Sequence, residues 1–600
     1  MKSSQAVVSF PCGSETGLKD TTRLAPTPSE NNIHVRYADF GSLAEALDYA
    51  ANGRTGYNFY TRRGSLYASI PYARLRHDAR ILARKLLYLR VPRGSHVAIV
   101  ANTHPEFVRF FFACQYAGLI PVPLPIVMHL NGAEAYVRQL ARLLDICKAS
   151  LAVATGEFFS YLTKAVSSQK LDLEFIGRPE DFYALPESSV QLKPLEQGEL
   201  AYLQFTSGST RFPKGVMITQ EAVLSNLHAI TRHGIGCRNG DRAVSWLPFY
   251  HDMGLVGLVL STMASQLSVD FFSTSDFAMR PGLWLKLISD NRASISFSPP
   301  FGYELAALRL RDSDVERYDL SMWRIAGVGA EMIRPELLER FASRLKPCGF
   351  DPGAFLSCYG MAECSLAVAF AHRNIGIEVD CVDAERLATY REVVPVGQIK
   401  PGTKTQTRVK TFVKCGKPLP GFEVEIRDPS GRPVPAGKCG ILYLKGPSVM
   451  SGYLGDAEAT GNVLGEDGWL NTGDTAYLSG DDIVITGRSK DLIIINGRNI
   501  WPQDIEYLAE SLDEVRIGDA CAFALQDERG RERAVLVIQC KNGDRSADKT
   551  LTSTLRKLVL RELGIDCHVV VVPKNTLVRT TSGKPSRSAT RKVCIEKGLI

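Results

Sequence analysis

The chain has 600 residues, 45% hydrophobic, 22% charged and 9% aromatic. That balance excludes disordered, collagen-like and mucin-like proteins, and the length exceeds what one compact core fills, so two or more domains are expected. The formal charge of +7, spread over 71 basic and 64 acidic residues, is too dilute for the basic stripe of a nucleic-acid binder.

In chain order, residues 1–30 are rich in Ser, Thr and Pro and lack a continuous apolar stretch. They are expected to be a flexible leader, not a signal peptide. Tyr72 to Leu89 carries Leu75, Ala79, Leu82 and Leu86 at helical spacing before Pro92-Arg93-Gly94 breaks the pattern. His96 to Ala101 reads as a short apolar strand and Pro105 to Ala117 as a helix. Leu151 to Ala154 and Leu200 to Phe205 are further apolar runs suited to buried strands. Strands alternating with helices predict an α/β architecture with mostly parallel sheets. The most apolar run, Met253 to Ala264, is about a dozen residues, short of the roughly 20 that span a bilayer. From about Ala371 to Thr411 periodicity fades, and the segment reads as an insertion or long connection outside the core. Gly416 to Lys445 reads as β structure turned at DPSGRP. The tail after Gly487, with a helix at Gln503 to Ser511 and a strand at AVLVIQ, is long enough for a small α+β domain. The 14 cysteines form no CxxC pair and no zinc-spaced cluster, as expected of thiols in a reducing compartment. The protein is expected to be cytoplasmic, without nucleic-acid or integral membrane contact.

Leu203 to Gly215 reads LQFTSGSTRFPKG. Gly208 lets backbone N–H groups approach phosphate oxygens. The hydroxyls of Thr206, Ser207, Ser209 and Thr210 can donate to them, and Lys214 adds a point charge. No glycine precedes the lysine, so this is not a Walker A loop. The T-S-G-S-T…P-K-G string resembles the phosphate loop of adenylate-forming enzymes: acyl-CoA synthetases, adenylation domains and luciferases.

Further motifs follow in that family's order. WLPFYHDMG (Trp246 to Gly254) resembles the wall of the acyl pocket, with His251 as a gating ring. Its YHDMGL pattern resembles fatty acyl-AMP ligases, although amino-acid-activating relatives carry an amine-binding Asp near Asp252. SPPFGYEL supplies further wall residues, Phe301, Gly302 and Tyr303, with Phe301 where many fatty acyl-AMP ligases have Asn. GVGAE resembles the turn lining adenine, giving Gly329, Ala330 and Glu331. CYGMAE resembles Y-G-x-T-E. There Cys358, Tyr359, Gly360, Met361 and Ala362 would border the nucleotide, and Tyr359 would stack on adenine. Glu363 would hold Mg²⁺. Ala362 replaces the usual Thr or Ser and loses one hydroxyl contact.

In LNTGD, Asp474 could accept from both ribose hydroxyls, because an ionised carboxylate offers only acceptors. Arg488 of GRSKD resembles the arginine on ribose and phosphate, and Ile485 would pack near adenine. Lys490 occupies the hinge position. TTSGK resembles the C-terminal catalytic motif, with Lys584 binding the carboxylate and the bridging oxygen. The basic residues around it, Arg579, Arg587, Arg591 and Lys592, read as surface.

The resemblance covers the chain from about Gly41 onward. It implies a 31–487 adenylation domain of stacked α/β sheets with a β-rich subdomain and an insertion at about 371–411. A hinge at 488–491 and a mobile α+β cap at 492–600 would follow. It also implies ATP and Mg²⁺ as cofactors. Among the sub-classes, an insertion before CGKPLPG (Cys415 to Gly421) resembles the fatty acyl-AMP ligases. There it anchors the cap and hinders the conformation that uses CoA. The expected reaction is activation of a medium- or long-chain fatty acid to acyl-AMP, then transfer to the phosphopantetheine of an acyl carrier protein. The acceptor would be such a carrier protein or the carrier domain of a polyketide or nonribosomal peptide synthase. The alternatives are a long-chain acyl-CoA synthetase and a catalytically silent nucleotide-binding protein.

Overall fold

A computed structural model describes residues 33–126, 133–206, 213–397, 408–495, 497–526, 532–540, 545–579 and 585–600. The predicted leader lies outside them. Helix Pro105–Ala117 forms where its pattern placed it because both ends are chemically marked. Pro105 occupies the first turn, the His104 ring accepts from the Glu106 N–H, and Gly118 closes the helix at φ 71°. Helix Tyr72–Tyr88 packs on it through Leu75, Ala79, Leu82 and Leu86, all buried.

Nine strands form the main sheet. Its centre is parallel, running from Phe355–Gly360 through Ile325–Val328, Ile295–Ser298, Arg242–Ser245 and Ser268–Phe271 to Gly56–Tyr60. Antiparallel strands close both edges. A second, wholly parallel sheet orders Ile120–Leu124, His96–Val100, Leu151–Val153 and Phe175–Gly177. The α/β expectation therefore holds. Leu200–Thr206 departs from the parallel expectation, since it pairs antiparallel with Lys214–Thr219. A four-stranded antiparallel sheet of Glu423–Arg427, Gly440–Lys445, Leu470–Ser479 and Asp482–Arg488 follows.

The C-terminal residues build their own core around Ile493, Ile505, Leu536 and Leu555. That core lies under the sheet Val515–Gln526, Glu532–Cys540 and Cys567–Val572. The segment after Ala371, read from sequence as lying outside any core, is instead partly structured and buried. Strands Val379–Asp383 and Val409–Val413 pair antiparallel around helix Ala384–Tyr390. Val382, Leu387 and Phe412 pack with Tyr477, Val484 and Trp501 in one buried cluster. Among the described residues no helix is long and apolar enough to cross a membrane, and every cysteine whose side chain is described is a free thiol.

Candidate active site

Two hairpins and one strand end converge at the site. The hairpin Leu200–Thr206/Lys214–Thr219 places Thr206 opposite Lys214, so the predicted phosphate loop closes there. Ser207, Gly208, Ser209 and Thr210 lie outside the described residues. The ammonium of Lys214 sits over the Tyr453 ring, 4.5 Å from its centre, and the Tyr453 hydroxyl donates to Glu363 Oε1 at 2.8 Å. Burial and then Glu363 push the Tyr453 phenol up from its ordinary pKa, so Tyr453 remains a donor. Tyr453 was not among the predicted residues. Strand Gly452–Tyr453 brings it in as the third strand beside Lys214–Thr219, a long-range pairing without a local signal.

Strand Phe355–Gly360 ends in a bulge at Tyr359/Gly360. A Cβ at Gly360 would come within 1.9 Å of the Leu366 carbonyl oxygen, so only glycine lets the chain fold back there. Tyr359 then reaches across to donate to Asp474 Oδ2 at 2.7 Å. Asp474 faces Arg488 in the antiparallel register, and the Arg488 Nε lies 3.0 Å from Asp474 Oδ1. Burial first and Asp474 second push the Tyr359 phenol well up. Asp474 raises the Arg488 guanidinium. The buried carboxylate is therefore aimed by two fixed donors and keeps lone pairs for further hydroxyls.

The GVGAE turn packs tightly against this strand. A Cβ at Gly329 would meet the Cys358 carbonyl oxygen at 2.7 Å, and Ala330 has φ +68°. Glu331 is half-buried beside it. The Cys358 thiol donates to the Val328 carbonyl at 3.4 Å. Burial raises its pKa, so it is an inert wall. Met361 begins a tight turn that buries Ala362 and leaves Glu363 half-buried. Ile485 pairs opposite Ala476, packed on the main core.

Among the residues predicted for the acyl pocket, Trp246 follows strand Arg242–Ser245. It stacks on Phe277 at 3.8 Å and meets Phe301 edge-on at 5.7 Å. Gly302 fits close beneath it, since a Cβ there would lie 2.7 Å from the indole and 2.1 Å from Ser298 Oγ. His251 precedes the short helix Asp252–Gly254, its ring 5.0 Å from that of Tyr250. The Asp252 side chain accepts from the Met253 N–H at 2.7 Å. A Cβ at Gly254 would press on the Pro248 carbonyl. Gln204, on the strand entering the phosphate loop, donates to the Tyr250 carbonyl at 2.6 Å and so ties the two halves together. Tyr303 departs from its predicted place on the pocket wall. Its ring packs among Trp284, Phe341 and Phe355, and its hydroxyl donates to the Gly327 carbonyl at 2.9 Å. It sits in the aromatic core because it falls on the inward face of helix Pro300–Arg309.

Lys490 is exposed in the turn Ser489–Asp491. Lys584 lies outside the described residues. Of its predicted surface neighbours, Arg579, Arg591 and Lys592 are exposed, and Arg587 is instead half-buried and anchored. Arg587 bonds Asp491 at 2.6 Å and Glu506 at 2.7 Å, and Arg579 bonds Asp519 at 2.9 Å. Among the described residues no group of three or more His, Cys, Asp or Glu could hold a metal. Glu363 as a lone oxygen donor fits Mg²⁺, which keeps its waters and shares ligands with phosphates.

Residues 47–454 match the family described as AMP-binding enzyme. The chain is 42% identical to the "Putative acyl-CoA synthetase" of Caulobacter vibrioides, over 94% of this chain and 97% of that one. It is 32% identical to the medium-chain-fatty-acid–acyl-carrier-protein ligase JamA of Moorena producens, over 94% and 96%. A solved structure from a study of the fatty acyl-adenylate ligases of E. coli and L. pneumophila superposes with TM-score 0.88 at 44% identity, covering 94% and 100% of the two chains. The chain thus belongs to the AMP-binding enzyme family, the adenylate-forming enzymes. Within that family it is a fatty acyl-AMP ligase.

Proposed function

We propose that the enzyme activates a medium- or long-chain fatty acid with ATP and passes the acyl group to the phosphopantetheine thiol of an acyl carrier protein rather than to CoA. The substrate carboxylate forms a bond to the α-phosphorus as the bond to pyrophosphate breaks. Thr206 to Thr210, Lys214 and Lys584 stabilise the charge that builds on the oxygens. Asp474 and Arg488 hold the ribose, while Tyr359 and the GVGAE turn border the adenine. Glu363 would hold Mg²⁺, which supplies neutralising charge to the phosphates when bound. This is catalysis by positioning and electrostatics. The cap, residues 492–600, then swings about Lys490 to admit the carrier thiol, which attacks the acyl carbonyl and releases AMP. The setting is cytoplasmic.

The observation that carries the acceptor assignment is the grip of the inserted segment on the cap. The Lys410 ammonium lies 2.5 Å from Asp504 Oδ2 and 3.7 Å from the centre of the Trp501 ring. Asn499 donates to the Ala388 carbonyl at 2.7 Å, and Arg408 to the Arg561 carbonyl at 3.0 Å. The name of JamA supports a carrier acceptor, and that of the Caulobacter relative favours the second reading, a CoA ligase. The test is the product formed from ATP and dodecanoate with CoA, with holo acyl carrier protein, and with neither. Acyl-AMP alone and acyl-carrier with the protein acceptor are expected, and efficient acyl-CoA release would move the enzyme to the synthetase class. Lys584→Ala should abolish most ATP–pyrophosphate exchange, and undiminished exchange would remove that lysine from the reaction.

A second expectation concerns the clamp. Lys410→Ala removes a largely buried ion pair and a cation–π contact, together about 1–2 kcal/mol. That shifts the balance between cap positions roughly five- to thirtyfold. The ratio of acyl-CoA to acyl-carrier product should rise within that range, and an unchanged ratio would free the insertion of any role in acceptor choice.

A further inference from the structure

Strand Cys567–Val572 is the outer strand of the C-terminal sheet. It pairs parallel with Glu532–Cys540 on one side, and no strand among the described residues lies on the other. A groove of about 830 Å³ runs along that side. His568, Val569, Val570 and Val571 all line it. Successive strand side chains point to opposite faces, so a surface touching four in a row follows the backbone edge. A short extended segment fits such a space. Four consecutive valines on an open edge are also the kind of strand that proteins ordinarily cover or guard.

The opposite wall comes from helix Arg545–Leu563, which presents Lys549, Arg556 and Lys557 above Leu560, 56% exposed. Asp566 is the one acid of the lining, and Arg556 bonds it at 2.9 Å. The positive balance is felt by the histidine: burial first, then Arg533 and Arg556, hold His568 below its ordinary pKa. Apolar floor, open backbone and cationic rim together match an extended, acidic partner.

We propose that this edge docks an acidic segment of a partner protein, which adds as a fourth strand beside residues 567–572. The inference does not depend on which acceptor takes the acyl group.

The test uses the full chain and a fluorescein-labelled ten-residue peptide alternating Glu and Val, with a Lys–Val peptide as control. Anisotropy should show the acidic peptide binding at least about tenfold more tightly. Lys549→Glu/Lys557→Glu should erase that preference, with acyl-AMP formation unchanged. Amide hydrogen exchange should slow at residues 568–571 when the acidic peptide is added, the mark of strand addition rather than loose ionic attraction. Equal binding of the two peptides, indifference to the double substitution, or slowed exchange elsewhere would each overturn the proposal. So would binding to phosphatidylglycerol vesicles in place of the peptide, which would make the face a lipid contact.

Discussion

Asp474→Ala is expected to lower fatty-acid-dependent ATP–pyrophosphate exchange by about two to three orders of magnitude. The carboxylate is 5% exposed and already accepts from Tyr359 at 2.7 Å and Arg488 at 3.0 Å. Its removal has two consequences. The acceptors that the proposed function offers to the ribose disappear, and hydrogen bonds to a charged group are worth about 1.5–3 kcal/mol each. The Tyr359 hydroxyl and the Arg488 guanidinium also lose their common anchor, so the two side chains drift apart. Two such contacts account for about 3–6 kcal/mol, enough for the stated loss of roughly 3–4 kcal/mol. Part of it should appear as a raised KM for ATP, because the ribose is held before as well as during the reaction. Asp474→Asn keeps one acceptor oxygen and the shape, and should fall between the wild type and the alanine variant. Pyrophosphate exchange over a range of ATP concentrations measures all three. An alanine variant within tenfold of wild type would remove Asp474 from nucleotide binding.

The elements that local chemistry marks were legible. Helix Pro105–Ala117 carries a proline at one end and a left-handed glycine at the other. Tyr359, Gly360 and Glu363 sit in one short string, so a motif read along the chain brings them together. What local patterns could not reveal were contacts across long stretches of sequence. Tyr453 reaches Glu363 across 90 residues, and Arg587 reaches Asp491 across 96. A basic run near a chain end reads as surface, and only the fold supplies the half-buried carboxylates that hold Arg587. The same limit explains the insertion. Val382, Leu387 and Phe412 become a core only when Tyr477 and Trp501 are packed against them, and its short strands offer too few residues for a periodic signal. Tyr303 failed for another reason. A motif assigns a stretch to a pocket, but helical geometry sends neighbouring side chains in different directions.

Asp270→Ala should give the largest loss of stability, about 3–5 kcal/mol. Asp270 is completely buried in the main sheet. Its Oδ1 accepts from Arg242 Nη2 at 2.6 Å and Asn58 at 2.8 Å, and its Oδ2 from Arg242 Nε at 2.7 Å and Asn291 at 2.9 Å. Every lone-pair direction is used, and the Arg242 side chain is 5% exposed. Truncation leaves a guanidinium in the protein interior with no counter-charge, together with an unmatched Asn58 amide, while Asn291 keeps its bond to the Tyr60 hydroxyl at 3.0 Å. That imbalance, not the intrinsic worth of the pair, makes the change severe. Arg242→Met/Asp270→Leu removes both charges and should recover part of the loss, short of wild type because Asn58 still lacks its acceptor. Thermal or urea unfolding compares the variants, with a fall in Tm of roughly 3–5 °C expected for the single substitution. The damage should extend to activity. Arg242 and Asp270 join the parallel strands Arg242–Ser245 and Ser268–Phe271, and the first of these leads directly into Trp246. A loosened strand end lets the Trp246–Phe277 stack shift beside Phe301 and Gly302. The KM for the fatty acid should therefore rise before the KM for ATP, whose contacts stand on other strands. An alanine variant as stable as wild type would mean that water enters to solvate Arg242, and that the sheet is not locked at this point.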